Sequence, residues 1–144
     1  MKRNTAREIA VQIIFGEKFD SFPVDEFLND ENRSMLSLDC DLYSENLGKQ
    51  KDYIRSVVCA YSDHAEEIDG YIKQFSSGWN IQRISGTALA VLRCAIAEIL
   101  YVDDVPTAVA INSAVEIDKK YDDSETVSFV NGVLGSFARA VNIE

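Results

Sequence analysis

Residues 84–100 read Ile-Ser-Gly-Thr-Ala-Leu-Ala-Val-Leu-Arg-Cys-Ala-Ile-Ala-Glu-Ile-Leu, apolar around almost the whole circumference once past the opening. A helix that is apolar on every side belongs in the centre of a protein or in a bilayer. At 1.5 Å per residue this one is about 25 Å long, short for a bilayer crossing, and Arg93 and Glu98 interrupt it. It therefore predicts the central helix of a bundle. Its alanines let neighbouring helices approach closely, while Leu89, Leu92, Ile96 and Ile99 fill the gaps. Arg93 and Glu98 do not share a face, so if buried they pair with other elements, and one of them fastens this helix to a neighbour.

The flanks carry the same helical period. Downstream, Asp103-Asp104-Val105-Pro106 makes a turn, because Pro106 moves Val105 away from helical dihedrals. A helix with Ala108, Ile111 and Val115 follows, and Asp122 with Glu125 forms a capping box for a last helix. That helix places Val127, Val130, Leu134, Phe137 and Val141 on one stripe. Upstream, Ile54, Val57, Val58 and Tyr61 form one stripe and Ile68, Tyr71, Ile72 and Phe75 another. A capping box of Asp63 and Glu66 separates them, and Ser77-Gly78 ends the second.

The first helix is expected to start at Thr5, capped reciprocally with Glu8, and to bury Ala6, Ala10, Ile13 and Ile14. If it extends back to Arg3, then Arg3 and Arg7 continue a stripe through Val11 and Phe15. A short helix after Pro23 would use Val24, Phe27 and Leu28, and residues 29–50 carry the weakest pattern. No stretch alternates with period two. The fold class is all-α, a compact helical bundle of about seven helices.

A chain of 144 residues fits one domain, and 47% hydrophobic with 26% charged residues is an ordinary globular composition. No apolar run is long enough to span a membrane, and the start, Met1-Lys2-Arg3-Asn4-Thr5, is not a signal peptide. A cytoplasmic protein is expected. Cys40, Cys59 and Cys94 are scattered without a C-x-x-C pair, which fits thiols that fill space in a reducing compartment. The net charge of −10 excludes a broad basic nucleic-acid surface, yet residues 1–16 hold Lys2, Arg3 and Arg7 against Glu8 alone. Positive charge is thus concentrated at the extreme N-terminus, where a small polyanion site is feasible.

Nothing in the sequence assembles a catalytic or metal-binding constellation. His64, the one histidine, stands beside Asp63 near a helix start, and the adjacent acids at 66–67, 103–104 and 122–123 are best read as caps and solvated residues. Phosphate-loop and dinucleotide fingerprints are missing. A binding protein without cofactors is expected.

Three stretches together point further. Leu92-Arg93-x-Ala95-x-x-Glu98-Ile99-Leu100, then Val105-Pro106-x-x-Val109-Ala110-Ile111-Asn112, and finally Phe129-Val130-Asn131-Gly132-Val133-Leu134 closely resemble the transcription antitermination factor NusB family. Ala6-Arg7-x-x-Ala10-x-Gln12 resembles that family's first helix, and the similarity spans essentially residues 1–144, with 20–50 weakly determined. The resemblance implies a smaller N-terminal and a larger C-terminal helical subdomain, tightly packed. It implies a protein that binds the boxA segment of ribosomal RNA leader transcripts with a small ribosomal subunit protein, within an RNA polymerase antitermination complex. A related domain is fused to some ribosomal RNA cytosine methyltransferases, but a chain ending at Glu144 is expected to lack a catalytic domain.

By the same resemblance, Lys2, Arg3 and Arg7 correspond to the family's arginine-rich RNA-binding start and would hold phosphate oxygens. Phe129 matches an aromatic that contacts RNA; partly exposed, it would stack on an unpaired base. Asn131 would bond a nucleotide or a neighbouring backbone. The sequence departs from the family pattern in its thinner basic cluster, in Glu67 near an aromatic position, and in Ser128 where some members carry lysine. RNA binding is therefore expected to depend on the protein partner, which the resemblance places near residues 83–90 and 104–112. An acidic surface suits a basic ribosomal protein. A second copy of the chain, forming a homodimer, could use an exposed helical face equally well. The competing reading is a helical protein-interaction adaptor with little specific RNA binding.

Overall fold

The computed structural model describes residues 2–17, 50–76, 84–103 and 105–141. Six helices are formed by the described residues: α1 (Arg3–Glu17), α2 (Gln50–Asp63), α3 (Ala65–Phe75), α4 (Gly86–Tyr101), α5 (Thr107–Asp118) and α6 (Ser124–Ala140). The short helix expected after Pro23 lies outside the described residues, as do Cys40 and the Ser77-Gly78 stop. Among the described residues no helix is long and apolar enough to cross a membrane.

The run at 84–100 forms α4, and α4 packs against all five other helices. Ser85 caps it, its Oγ accepting the Ala88 N–H at 3.0 Å. Ala88, Ala90, Val91, Leu92, Cys94, Ala95, Ile96 and Ala97 are buried along it, and Glu98 is buried with them. Small residues on successive turns leave room for neighbours on every side, so α4 serves as the axis of the core. Around it lie Ile9, Ile14, Ile54, Ile68, Ile72, Leu134 and Phe137, each under 2% exposed. Burying an aliphatic side chain of this size contributes about 1.5–3 kcal/mol.

Three helix starts differ from the sequence expectation. Helix α1 begins at Arg3, not Thr5, because the Ala6 N–H already reaches the Lys2 carbonyl at 3.1 Å. Glu8 forms no capping box; it is 2% exposed and directed at the end of α5. At the α2–α3 junction the residue before the helix is His64, with no side-chain cap, in place of Asp63. Carbonyls of Ala60 and Tyr61 accept the His64 N–H, so the chain continues with its backbone satisfied and needs no capping box. Helix α6 is capped by Asp123, whose carboxylate accepts the Thr126 N–H at 2.9 Å. Asp122 is engaged elsewhere: its Oδ2 accepts the Ser85 hydroxyl at 3.0 Å.

Candidate nucleic-acid interface

Helix α1 carries the N-terminal cations, and its register sends them to different surroundings. Lys2 and Arg3 are exposed. The Arg3 guanidinium lies 4.1 Å from the Tyr53 ring centre, and its Nε donates to Gln50 Oε1 at 2.8 Å, so α2 holds it in one orientation at the surface. One turn on, Arg7 is 5% exposed. Its Nε donates to both Glu98 oxygens, at 3.0 and 3.1 Å, and Nη1 donates to Asn4 Oδ1 at 2.8 Å and Ser113 Oγ at 3.2 Å. Tyr53 Oη donates to Glu98 Oε2 at 2.8 Å, closing a buried network over α1, α2, α4 and α5.

Electrostatics follow the geometry. Burial works against the Arg7 charge, but the hydrogen bond and the charge of Glu98 outweigh it, leaving Arg7 above its ordinary value. Burial pushes the Tyr53 phenol and the Cys94 thiol upward. The network is thus one ion pair among neutral groups, locked inside the bundle. Arg7, expected at the surface beside Lys2 and Arg3, is thus a strut of the core, with Nε on Glu98 and Nη1 on Asn4 and Ser113.

The other interrupting charge of α4 makes a second, shallower staple. Arg93 Nε donates to Asp69 Oδ1 on α3 at 2.9 Å, and its guanidinium lies 5.1 Å from the Tyr61 ring on α2. Tyr61 Oη also donates to Asp69, at 3.2 Å. Glu98 and Arg93 therefore tie α4 to its neighbours, each beside a tyrosine of α2.

On α6, Phe129 is 6% exposed and belongs to the core, which corrects the expected partly exposed ring. Its neighbour Val130 is fully buried, and the inward face of α6 is wide enough to take both. Asn131 is exposed, with Ser128 and Gly132 beside it on the outer face. The structure therefore brings Lys2 and Arg3 together at the surface, leaves Asn131 on exposed α6, and withdraws Arg7 and Phe129 into the interior.

Sequence reasoning missed the contacts that finish the N-terminal end. Glu8 accepts Lys120 Nζ at 2.6 Å and Tyr121 Oη at 2.6 Å, while Gln12 donates to Tyr121 Oη at 3.0 Å. A groove of about 190 Å³ runs between α1 and the end of α5, lined by Asn4, Thr5, Glu8, Glu116, Ile117 and Lys120. Lys120 stays 60% exposed there, adding a cation to the end that already carries Lys2 and Arg3. The usable signal was Glu8 among Ala6, Ile9 and Ala10, an acid on a buried face that requires a partner. Another missed feature is the stack of His64 on Tyr101, 4.0 Å between ring centres, with the Tyr101 hydroxyl bonded to Glu67.

A bundle stapled through buried polar groups, presenting charged helix ends, defines an all-helical binding protein. Comparison makes this specific: residues 4–139 match the NusB family model, and the chain belongs to that family. It is 35% identical over 142 residues to the transcription antitermination protein NusB of Natranaerobius thermophilus, covering 99% of this chain and 98% of the relative. Among solved structures it is similar to NusB of T. maritima, at 26% identity and TM-score 0.71, with 96% of this chain and 92% of that one covered. The fold is shared with a NusB solved with NusE and double-stranded RNA, at 22% identity and TM-score 0.70, covering 96% of each chain. The protein is thus a NusB-family transcription antitermination protein, a regulator and not an enzyme.

Proposed function

We propose that the protein binds boxA-type single-stranded RNA of ribosomal RNA operon leaders cooperatively with a small ribosomal subunit protein, and that this pair joins the RNA polymerase antitermination complex in the cytoplasm. The observation that carries the reading is the similarity, along nearly the whole chain, to relatives named for transcription antitermination. A protein of similar fold has been solved with NusE and double-stranded RNA, which supports a pairing of protein and RNA partners. Lys2 and Arg3, exposed on an ordered helix end, supply phosphate contacts, and Lys120, in the turn after α5 and paired with Glu8, lies 60% exposed nearby. With Arg7 spent on Glu98 and Phe129 buried, the isolated chain has few RNA contacts, and the partner supplies the rest. The chain is read as one NusB-like domain, residues 1–144, in two subdomains meeting at α4.

Binding of boxA-type and scrambled RNA to the chain alone, to the ribosomal protein alone and to their mixture tests this at physiological salt. Specific binding is expected in the mixture. Micromolar or tighter specific binding by the chain alone overturns the dependence on a partner, and no specific binding in any state favours the adaptor reading that the net charge of −10 suggests.

A further inference from the structure

Asp118, the last residue of α5, has no exposed surface, and neither of its carboxyl oxygens meets an N–H or O–H donor. A buried carboxylate left so would carry the full cost of desolvation, and a native fold rarely retains one without compensation. Its main-chain oxygen accepts the Tyr121 N–H at 3.0 Å and the Asp122 N–H at 2.9 Å, folding the chain back over the helix end. That turn brings Asp122 back to the helix end, where its carboxyl acts on Asp118 through hydrogen bonding and charge. Asp122 Oδ2 accepts the Ser85 hydroxyl, and Ser85 Oγ in turn accepts the Ala88 N–H that opens α4. Two ionised carboxyls are both acceptors, so a hydrogen bond between Asp118 and Asp122 requires a proton.

The surrounding charges do not replace that proton. Asp123 adds a third acid, its carboxylate held by Thr126 at the start of α6, where Glu125 is exposed. Lys119 pairs with Glu116, and Lys120 reaches Glu8 on α1. On the inner side of α5, Ile117 shares a small cavity with Cys94 and Glu98 of α4 and Arg7 of α1, and there Arg7 and Glu98 neutralise each other.

We propose that Asp118 is protonated in the folded protein and donates to the Asp122 carboxylate, and that loss of this proton to solvent breaks the Asp118–Asp122–Ser85 chain and loosens the capped start of α4. With the proton bound, the pair carries one negative charge and an internal donor; without it, two negative charges face each other in a buried turn. Burial first, then the Asp122 hydrogen bond and charge, pushes Asp118 up to about 8, so the switch works on the alkaline side of neutrality. The start of α4 borders the region assigned above to the protein partner, but the switch belongs to the chain alone and stands independently of that assignment.

Carbon-detected NMR of the isotope-labelled full chain tests it without RNA or partner. The Asp118 carboxyl carbon is expected to titrate near pH 8, and the Ala88 amide to shift with the same midpoint. Asp118→Asn keeps a donor toward Asp122 but has no proton to lose, so its Ala88 amide is expected to stay still between about pH 6 and 9.5. Asp122→Asn removes the neighbouring charge and is expected to lower the Asp118 midpoint by about one unit or more. Titration of Asp118 below pH 5, an Ala88 amide that ignores the Asp118 midpoint, or an unchanged Ala88 response in Asp118→Asn each overturns the proposal.

Discussion

The Arg7 guanidinium of α1 meets the Glu98 carboxylate of α4 through two hydrogen bonds from Nε, with the two side chains 6% and 1% exposed. Such a pair contributes little net stability, because desolvating both charges offsets most of their attraction, but removing one partner strands the other. Arg7→Ala and Glu98→Ala are each expected to destabilise the protein by about 3–5 kcal/mol in urea unfolding. Replacing both with apolar residues of similar volume should recover much of that loss. Additive losses in the double variant would show that the two residues do not act as a pair.

Arg93 makes a more exposed contact, with its side chain 19% and that of Asp69 40% accessible. Water screens the pair, so the ion pair and the Tyr61 ring together are expected to contribute about 1 kcal/mol. Arg93→Ala should lower stability by that amount while Arg93→Lys recovers part of it. A loss below about 0.5 kcal/mol would mean that Arg93 does not fasten α4 to α3.

The central helix was legible because hydrophobicity on all sides of residues 84–100, in a helix short for a bilayer crossing, has one economical solution, the centre of a bundle. The destination of each interrupting charge was not legible: Arg7 and Glu98 are 91 positions apart, and no local period reports a contact at that range. Phe129 shows the same limit from the other side. A stripe written as Val127, Val130, Leu134 and Phe137 gives the axis of the buried face, whereas its width depends on what packs against it. The cap of α6 moved by one residue because the Ser85 hydroxyl engages Asp122, while α1 and α3 start where the backbone finds its own partners.

Placement of Phe129 in the core predicts a stability effect before any RNA effect. Phe129→Ala is expected to cost about 3–5 kcal/mol, whereas Asn131→Ala on the outer face should stay within about 0.5 kcal/mol. Thermal and urea unfolding of the two variants check this. A Phe129→Ala protein of wild-type stability that had lost RNA affinity would place the ring outside.

Asp118 links stability to pH with a sign opposite to that of most acids. Its folded-state value, near 8, lies above the ordinary 3.8, so the folded protein holds the proton more tightly than the unfolded chain. The stabilisation from that proton is present below the unfolded value and declines as pH rises toward the folded one. Asp118→Asn, permanently neutral, should match wild type near pH 4 and exceed it by roughly 2–5 kcal/mol at pH 9. Unfolding curves at both ends of the range decide it, and a variant gaining most at acidic pH would reverse the assignment.

The division of the N-terminal cations gives the sharpest test of the RNA reading. Each single-strand phosphate contact contributes about 0.7 to the slope of log affinity against log salt. If Lys2 and Arg3 hold phosphates, Lys2→Ala with Arg3→Ala should flatten that slope by about 1.4 in the complex with the ribosomal protein. Both side chains are exposed, so stability should change little. Arg7→Ala should behave differently: affinity falls because the α1–α4 contact is lost, while the slope per folded molecule stays at the wild-type value. The comparison must be made where Arg7→Ala remains folded, because an unfolded fraction lowers apparent affinity without altering phosphate contacts. If Arg7→Ala flattens the slope at full folding and the Lys2, Arg3 pair does not, Arg7 leaves Glu98 for phosphate on binding and the buried network opens to admit RNA.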